Sequence, residues 1–233
     1  MSTAQFHFQP ELDYFLSAAR RGKVILVSFK GQQSLKHLIE SLGVPHTEVG
    51  ALLVNGRFAS LDRITQSGDQ VEVQPAPHGC SVEPRFLLDN HLGRLAAYLR
   101  MLGFDCLYQN DFQDDQIAEI LADDRRILLT RDRRLLMRKV VQYGYCPRSL
   151  EPNEQFREVV RHFELEPLAR PFHRCLRCNA VLEPVEKSAV LDHLEPKTKL
   201  YYNEFAICPQ CDQVYWKGSH YERMQSLIAG LSR

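Results

Sequence analysis

Four cysteines set as two C-x-x-C pairs, Cys175-Leu176-Arg177-Cys178 and Cys208-Pro209-Gln210-Cys211, constrain this chain more than any other feature. A C-x-x-C turn lets two thiolates reach one ion, and two such turns supply the tetrahedral sulfur set that zinc prefers. The separation of Cys178 from Cys208 suits a ribbon in which two knuckles face each other. One structural Zn²⁺ held by Cys175, Cys178, Cys208 and Cys211 is therefore expected. Four sulfurs leave no open position for water, so this metal is expected to be structural rather than catalytic. His173, His193 and His220 lie nearby in sequence and are expected not to be ligands. Between the pairs, Ala189-Val190-Leu191 and Leu200 to Phe205 read as strand-like pieces.

The rest of the chain splits by rhythm into 1–80, 84–166 and 167–233. Over the first stretch, Phe6-His7-Phe8 alternates and Lys23 to Phe29 is rich in β-branched and apolar residues. Leu35, Leu38, Ile39 and Leu42 then fall on one helical face, with Ser34 placed to cap it and Gly43 and Pro45 to end it. Asn55-Gly56 between Ala51–Val54 and Arg57-Phe58 predicts a tight hairpin. Val71-Glu72-Val73 follows the Ser67-Gly68-Asp69 turn as a last strand. Strand, strand, helix, strand, strand is the order of a β-grasp. The segments "LLVNGRF" and "GDQVEV" resemble ubiquitin-like, sulfur-carrier-like modules. Such carriers are activated at a free terminal Gly-Gly, whereas this strand runs on into Pro75-Ala76-Pro77. A docking role toward a protein partner is expected in place of sulfur transfer.

The second stretch repeats βα units and predicts a parallel sheet with helices on both faces. Arg85-Phe86-Leu87-Leu88 is a short buried-type strand ending at Asp89, and Ile127-Leu128-Leu129-Thr130 is another, ending at Asp132. Ligands of open parallel sheets bind beyond the C-terminal strand ends, so two carboxylates there invite a hard cation, Mg²⁺ or Mn²⁺. Asp114 and Asp115 open the helix between them and can close the cluster. Each of these four has a second reading as a helix cap or dipole partner. Five basic residues lie within 131–139, among them Arg131, Arg133 and Arg134. They can hold phosphates or simply line a solvated helix face.

Charge excludes little: Lys plus Arg and Asp plus Glu both total 29. Any polyanion site must come from local clustering such as 131–139. No apolar run approaches the roughly 18 residues of a spanning helix. The polar, aromatic segment 1–10 lacks the regions of a signal peptide, and the cysteines fit a reducing compartment better than a disulfide framework. A cytoplasmic protein without membrane contact is expected.

Taken together, "RFLLDNHLGRLAAYLRMLGFDCLY", "DDQIAEI", "RILLTRDRRLLMR", "RCLRCN" and "CPQCDQVYWKGSHYERM" resemble the Mut-seven C-terminal RNase domain family. That family is a PIN-like fold with a zinc ribbon, often preceded in bacteria by a ubiquitin-like module. The resemblance implies metal-dependent hydrolysis of RNA. Asp89 and Asp132 match the acidic strand ends, and Asp114 or Asp115 the intermediate acidic position. The fourth carboxylate common in PIN domains has no match between Tyr143 and Leu150. After the last cysteine pair, Lys217 and His220 are candidate phosphate contacts. Tyr215 and Trp216 either stack on bases or pack the ribbon onto the PIN-like domain. The alternative is a non-catalytic RNA-binding adaptor whose ubiquitin-like module recruits a partner.

Overall fold

The computed structural model describes residues 1–230. In chain order the regular elements begin with β1 (Ser2–Phe8), β2 (Ile25–Phe29), α1 (Leu35–Ser41), β3 (Val49–Val54), β4 (Arg57–Ala59) and β5 (Gln70–Pro75). Next come β6 (Phe86–Leu88), α2 (Gly93–Met101), β7 (Cys106–Leu107), α3 (Asp114–Asp123), β8 (Ile127–Leu129), α4 (Arg133–Leu136), β9 (Gly144–Tyr145) and α5 (Pro152–His162). The last are β10 (Glu183–Val185), α6 (Lys187–Val190), α7 (Pro196–Tyr201), β11 (Phe205–Ile207), β12 (Val214–Trp216) and α8 (Ser219–Ala229). No described helix is long and apolar enough to cross a membrane. The described residues form two compact units, 1–78 with 112–148 and 79–111 with the stretch from 149 onward, so the stretch 84–166 contributes to both.

In the first unit the N-terminal sheet runs β2-β1-β5-β3-β4, with β1 and β5 parallel and the other pairs antiparallel. This is the β-grasp arrangement. Period-two alternation buries Ala4, Phe6 and Phe8 of β1 and leaves Gln5 and His7 outside. Leu35, Leu38 and Ile39 of α1 are buried beneath the sheet's inner face, and the Ser34 side chain caps the helix by accepting from the His37 amide at 3.2 Å. Asn55 and Gly56 both take positive φ, 52° and 77°, the conformation that a two-residue hairpin with matched twist requires.

Asp69 ties this corner together. Its carboxylate accepts from Asn55 Nδ2, both terminal nitrogens of Arg63 and the Gln66 amide. The Arg63 bonds, followed by the Gln66 amide, hold its pKa below the usual aspartate value despite burial.

The remainder of the unit is α3, β8, α4 and β9. Every residue of β8 is buried, as its unbroken apolar run requires, and it pairs in parallel with β9 at Leu128↔Gly144 and Leu129↔Tyr145. The helix expected over the basic run is only four residues long. It stops because the chain turns back at Arg138, whose carbonyl accepts from the amide of fully buried Val141.

In the second unit the strands β6 and β7 pair in parallel, Phe86↔Cys106 and Leu87↔Leu107. The apolar stripe of α2 buries Leu95, Ala96 and Leu99, and α5 lies against it through Tyr98 and Phe156, whose rings are 5.3 Å apart. The C-terminal segment forms an antiparallel sheet, β10-β11-β12. Its small core is Val190, Leu194, Phe205 and Val214, flanked by Tyr202 and Trp216. Of the strand-like piece expected at Ala189–Leu191, Ala189 and Val190 are helical in α6; of the piece expected at Leu200 to Phe205, Leu200 and Tyr201 end α7 and Phe205 opens β11. Only one residue per turn, Val190 and then Thr198, points inward. Pro196 opens α7, where a missing amide costs nothing.

Candidate metal centre and acidic site

The two C-x-x-C turns meet. The four cysteine sulfurs lie within 4.8 Å of one another, with Cys175–Cys211 at 3.6 Å and Cys178–Cys208 at 3.3 Å. A tetrahedron of sulfurs around an ion at about 2.3 Å has edges of about 3.8 Å, so the set fits a single tetrahedral ion. The first turn is prepared to carry negative sulfur at Cys175. The Tyr215 hydroxyl lies 3.2 Å from Cys175 Sγ, and the Cys178 amide donates to the same atom at 3.5 Å. Burial alone would raise the Cys175 thiol. The Tyr215 hydroxyl and the nearby backbone amides outweigh it and bring the pKa down to about 6. Burial pushes Cys178 and Cys211 up, and the adjacent thiols add to the rise. Four adjacent sulfurs can all be thiolates only when a cation shares the site.

The first knuckle is fixed from behind by α2 and β7. Arg100 is 4% exposed and donates to the Leu176 and Arg177 carbonyls, at 3.1 and 2.9 Å, and twice to the Cys106 carbonyl. Burial pulls its pKa down, and the Cys106, Cys175 and Cys178 sulfurs and Asp105 oppose that. Asn179, just past the knuckle with φ 77°, accepts from the Cys106 amide at 2.9 Å and donates to Asp105 at 2.8 Å. Arg174 adds a bond to the Gly103 carbonyl, and the Arg170 amide donates to Leu102. Gly103, at φ 93°, packs so closely on the Arg170 carbonyl that no side chain fits there.

The sequence reading did not single out Arg100, Asp105 or Asn179. Arg100 carried a signal: it lies four residues after Ala96, at the edge of the buried stripe, where a charge needs partners.

The acidic residues are positioned individually. Asp89 follows β6, is 7% exposed, and accepts from the His91 amide at 3.0 Å. Asp132 is exposed and is the N-cap of α4, its Oδ1 accepting from the Arg134 and Leu135 amides at 2.7 and 3.4 Å. Thr130 Oγ1 accepts from the Asp132 amide. Among the described residues no protein donor reaches Asp132 Oδ2, so that oxygen can serve a ligand. Asp114 and Asp115 begin α3, but its N-cap is Gln113 in a capping box with Gln116. Both carboxylates face Arg138, at 3.6 and 2.8 Å.

The basic candidates differ in the same way. The Arg134 side chain is exposed and Arg131 half-buried. Arg133 turns inward and donates to the carbonyls of Phe15 and Tyr14 at 2.9 and 3.0 Å. Lys217 is exposed and paired with Glu204 at 2.6 Å. The His220 side chain lies outside the described residues. Tyr215 hydrogen-bonds the first knuckle, and Trp216 packs beside Phe205 at 6.5 Å. Both of these contacts lie within the C-terminal segment.

Comparison with known families and structures adds to this geometry. Residues 84–228 match the family model of the Mut7-C RNAse domain, and residues 1–80 match that of Mut7-C ubiquitin. Among solved structures, the crystal structure of H. volcanii small archaeal modifier protein 1 is similar at 18% identity and a TM-score of 0.26, over 33% of this chain and 99% of that one. The crystal structure of SAMP1 from Haloferax volcanii also aligns at 18% identity and TM-score 0.26, over 34% of this chain and 100% of that one. No curated protein matches the chain. A buried-strand α/β core ending in a four-cysteine ribbon, with a β-grasp ahead of it, thus has its counterpart in one known domain arrangement, and the chain belongs to the Mut7-C RNase domain family.

Proposed function

We propose that the protein is a divalent-metal-dependent ribonuclease that hydrolyses RNA phosphodiester bonds at its carboxylates, with Asp89 and Asp132 as the principal ligands and Asp114 and Asp115 as further candidates. The observation that carries this reading is the match of the RNase family model to residues 84–228, in which Asp89 and Asp132 each follow a fully buried strand. Asp132 keeps Oδ2 available while Oδ1 is held by two helix amides, which suits an oxygen ligand of fixed direction. The Asp89 carboxylate accepts from the His91 amide. Mg²⁺ or Mn²⁺ bound by such carboxylates would activate water and stabilise charge on the phosphate. Arg131 and Arg134, with Lys217 and His220 on the ribbon, are proposed to hold RNA phosphates. The four-cysteine cluster is proposed to hold structural Zn²⁺. The free thiols Cys80, Cys106 and Cys146 suit a reducing, cytoplasmic setting.

The test is cleavage of labelled single-stranded RNA with Mg²⁺ or Mn²⁺ by wild type, Asp89→Asn and Asp132→Asn. Asn is as good an N-cap as Asp, so Asp132→Asn removes a charge without removing the cap. Loss of cleavage in both variants with RNA affinity unchanged or raised supports the nuclease. Equal cleavage in all three would mean a contaminating enzyme. RNA binding without cleavage in any of them would favour the adaptor.

A further inference from the structure

The partner expected for the ubiquitin-like module has a candidate within this same chain. Two arginines of the RNase domain, Arg133 and Arg148, reach into the loop that follows β1. The Arg133 guanidinium donates to the Phe15 and Tyr14 carbonyls and stands 5.1 Å from the centre of each of their rings. Arg148 lies over the same two rings, at 5.4 and 4.8 Å, and over Tyr145 at 4.6 Å. Its charge is met by Glu48, which is 2% exposed and accepts from both terminal nitrogens of Arg148. Glu48 also accepts from the Cys146 amide at 2.6 Å, at the end of β9. On the same side of the module, His46 Nε2 lies 2.8 Å from the Val141 carbonyl. Module and segment 112–148 belong to one compact unit.

These contacts are of the kind that hold an interface permanently. A guanidinium forked across two carbonyls beside two aromatic rings is a geometry that lysine cannot supply. A nearly inaccessible carboxylate with three donors is not a rim contact. The anchoring also falls one residue from a candidate ligand. Arg133 is the first residue of α4, and Asp132 is that helix's N-cap. The direction of the Asp132 carboxylate is set by α4, and the start of α4 is pinned by the Tyr14-Phe15 loop.

We propose that the ubiquitin-like module is an internal scaffold for the nuclease domain, and that Arg133 is a positioning residue that fixes Asp132 through α4 rather than a contact for RNA. This rests on the nuclease reading for its catalytic consequence, but not for the docking itself. An arginine that touches phosphate changes affinity and its salt dependence. An arginine that aims a ligand changes turnover.

The experiment compares full-length wild type, Arg133→Ala, Arg133→Lys and Tyr14→Leu. Steady-state cleavage of single-stranded RNA with Mn²⁺ gives kcat and KM, RNA binding is measured across salt, and amide exchange is followed over 130–138. For Arg133→Ala the expected result is a fall in kcat of tenfold or more, KM within about twofold, an unchanged salt slope and faster exchange over 130–138. Arg133→Lys should recover little of the loss. Tyr14→Leu, which keeps both carbonyls, should lose about threefold in kcat, and it serves if Arg133→Ala does not fold. A raised KM with a salt slope reduced by about one and unchanged kcat would overturn the proposal and return Arg133 to the RNA. If wild type itself does not cleave, the nuclease reading falls and takes the positioning role with it. Exchange then decides the docking alone: rates over 130–138 unaltered by both Arg133→Ala and Tyr14→Leu would refute it.

Discussion

Replacing Glu48 by Gln tests the interior of the first unit at its most exposed assumption, that a buried charge pair is fully formed. Wild-type Glu48 accepts from Arg148 on both oxygens, with Oε2 at 2.6 Å, and from the Cys146 amide on Oε1. Glutamine keeps one carbonyl oxygen for the amide but turns an NH₂ group toward a guanidinium. The Arg148 guanidinium would then face a neutral amide where both of its terminal nitrogens had met a carboxylate. Removing one partner of a buried pair costs about 3–5 kcal/mol. The Arg148 side chain is 26% exposed and retains some hydration, which puts the expected cost near the lower end, about 3 kcal/mol. At about 2–4 °C per kcal/mol for a chain of this size, Tm should fall by about 6–12 °C. Urea unfolding followed by far-UV circular dichroism gives the free energy. The double variant Glu48→Gln/Arg148→Met should regain at least half of the loss, because no uncompensated charge remains. A Glu48→Gln protein within about 1 kcal/mol of wild type would refute the reasoning, since it would show the pair behaving as a solvated one.

Other outcomes follow from the same structure. Cys208→Ser should lose the bound metal, read by elemental analysis as zinc per chain, and should loosen the ribbon, since structural zinc binding is coupled to folding. Retention of one zinc with unchanged Tm would show the ligand assignment to be wrong. Asp69 has a folded pKa below its unfolded value, so its contribution to stability is complete above the unfolded value and is lost as pH falls through the folded one. Asp69→Asn should therefore flatten the acid limb of the stability curve below about pH 4. Gly103→Ala should destabilise by more than the usual left-handed penalty of about 1 kcal/mol, because the new methyl meets the Arg170 carbonyl; thermal melts followed through Trp216, the single tryptophan, report it.

The β-grasp was legible because each of its elements announces itself locally. Alternation over β1, the Leu35–Leu42 stripe and Asn55-Gly56 need no distant partner to be understood. The four-cysteine cluster was legible for a different reason, since the chemistry of one ion demands that the two turns meet. The segment between the pairs misled because Val190 and Leu191 look strand-like in isolation, and the ribbon had room to bury only Val190 in its core. The role of Arg133 was hidden in a run of basic residues where composition suggests phosphate. What decides it is a pair of carbonyls more than a hundred residues away. No periodicity carries that information. Glu48 and Arg148 were invisible for the same reason, each looking like an ordinary surface residue until the fold brings them together.

Arg100 has a consequence for anyone who would take the chain apart. Its four donations go to carbonyls on both sides of what looks in sequence like a clean seam: Cys106 before it, Leu176 and Arg177 after it. A cut near residue 167, or a graft of this ribbon onto another protein, would leave a guanidinium facing an apolar interior and a knuckle whose carbonyls have lost their donor. The ribbon travels in sequence as a cassette, yet its transfer requires a host helix with an arginine at the same place. A metal held by the four cysteines would in turn guard that arginine, because its loss would slacken the loop whose carbonyls accept from the guanidinium.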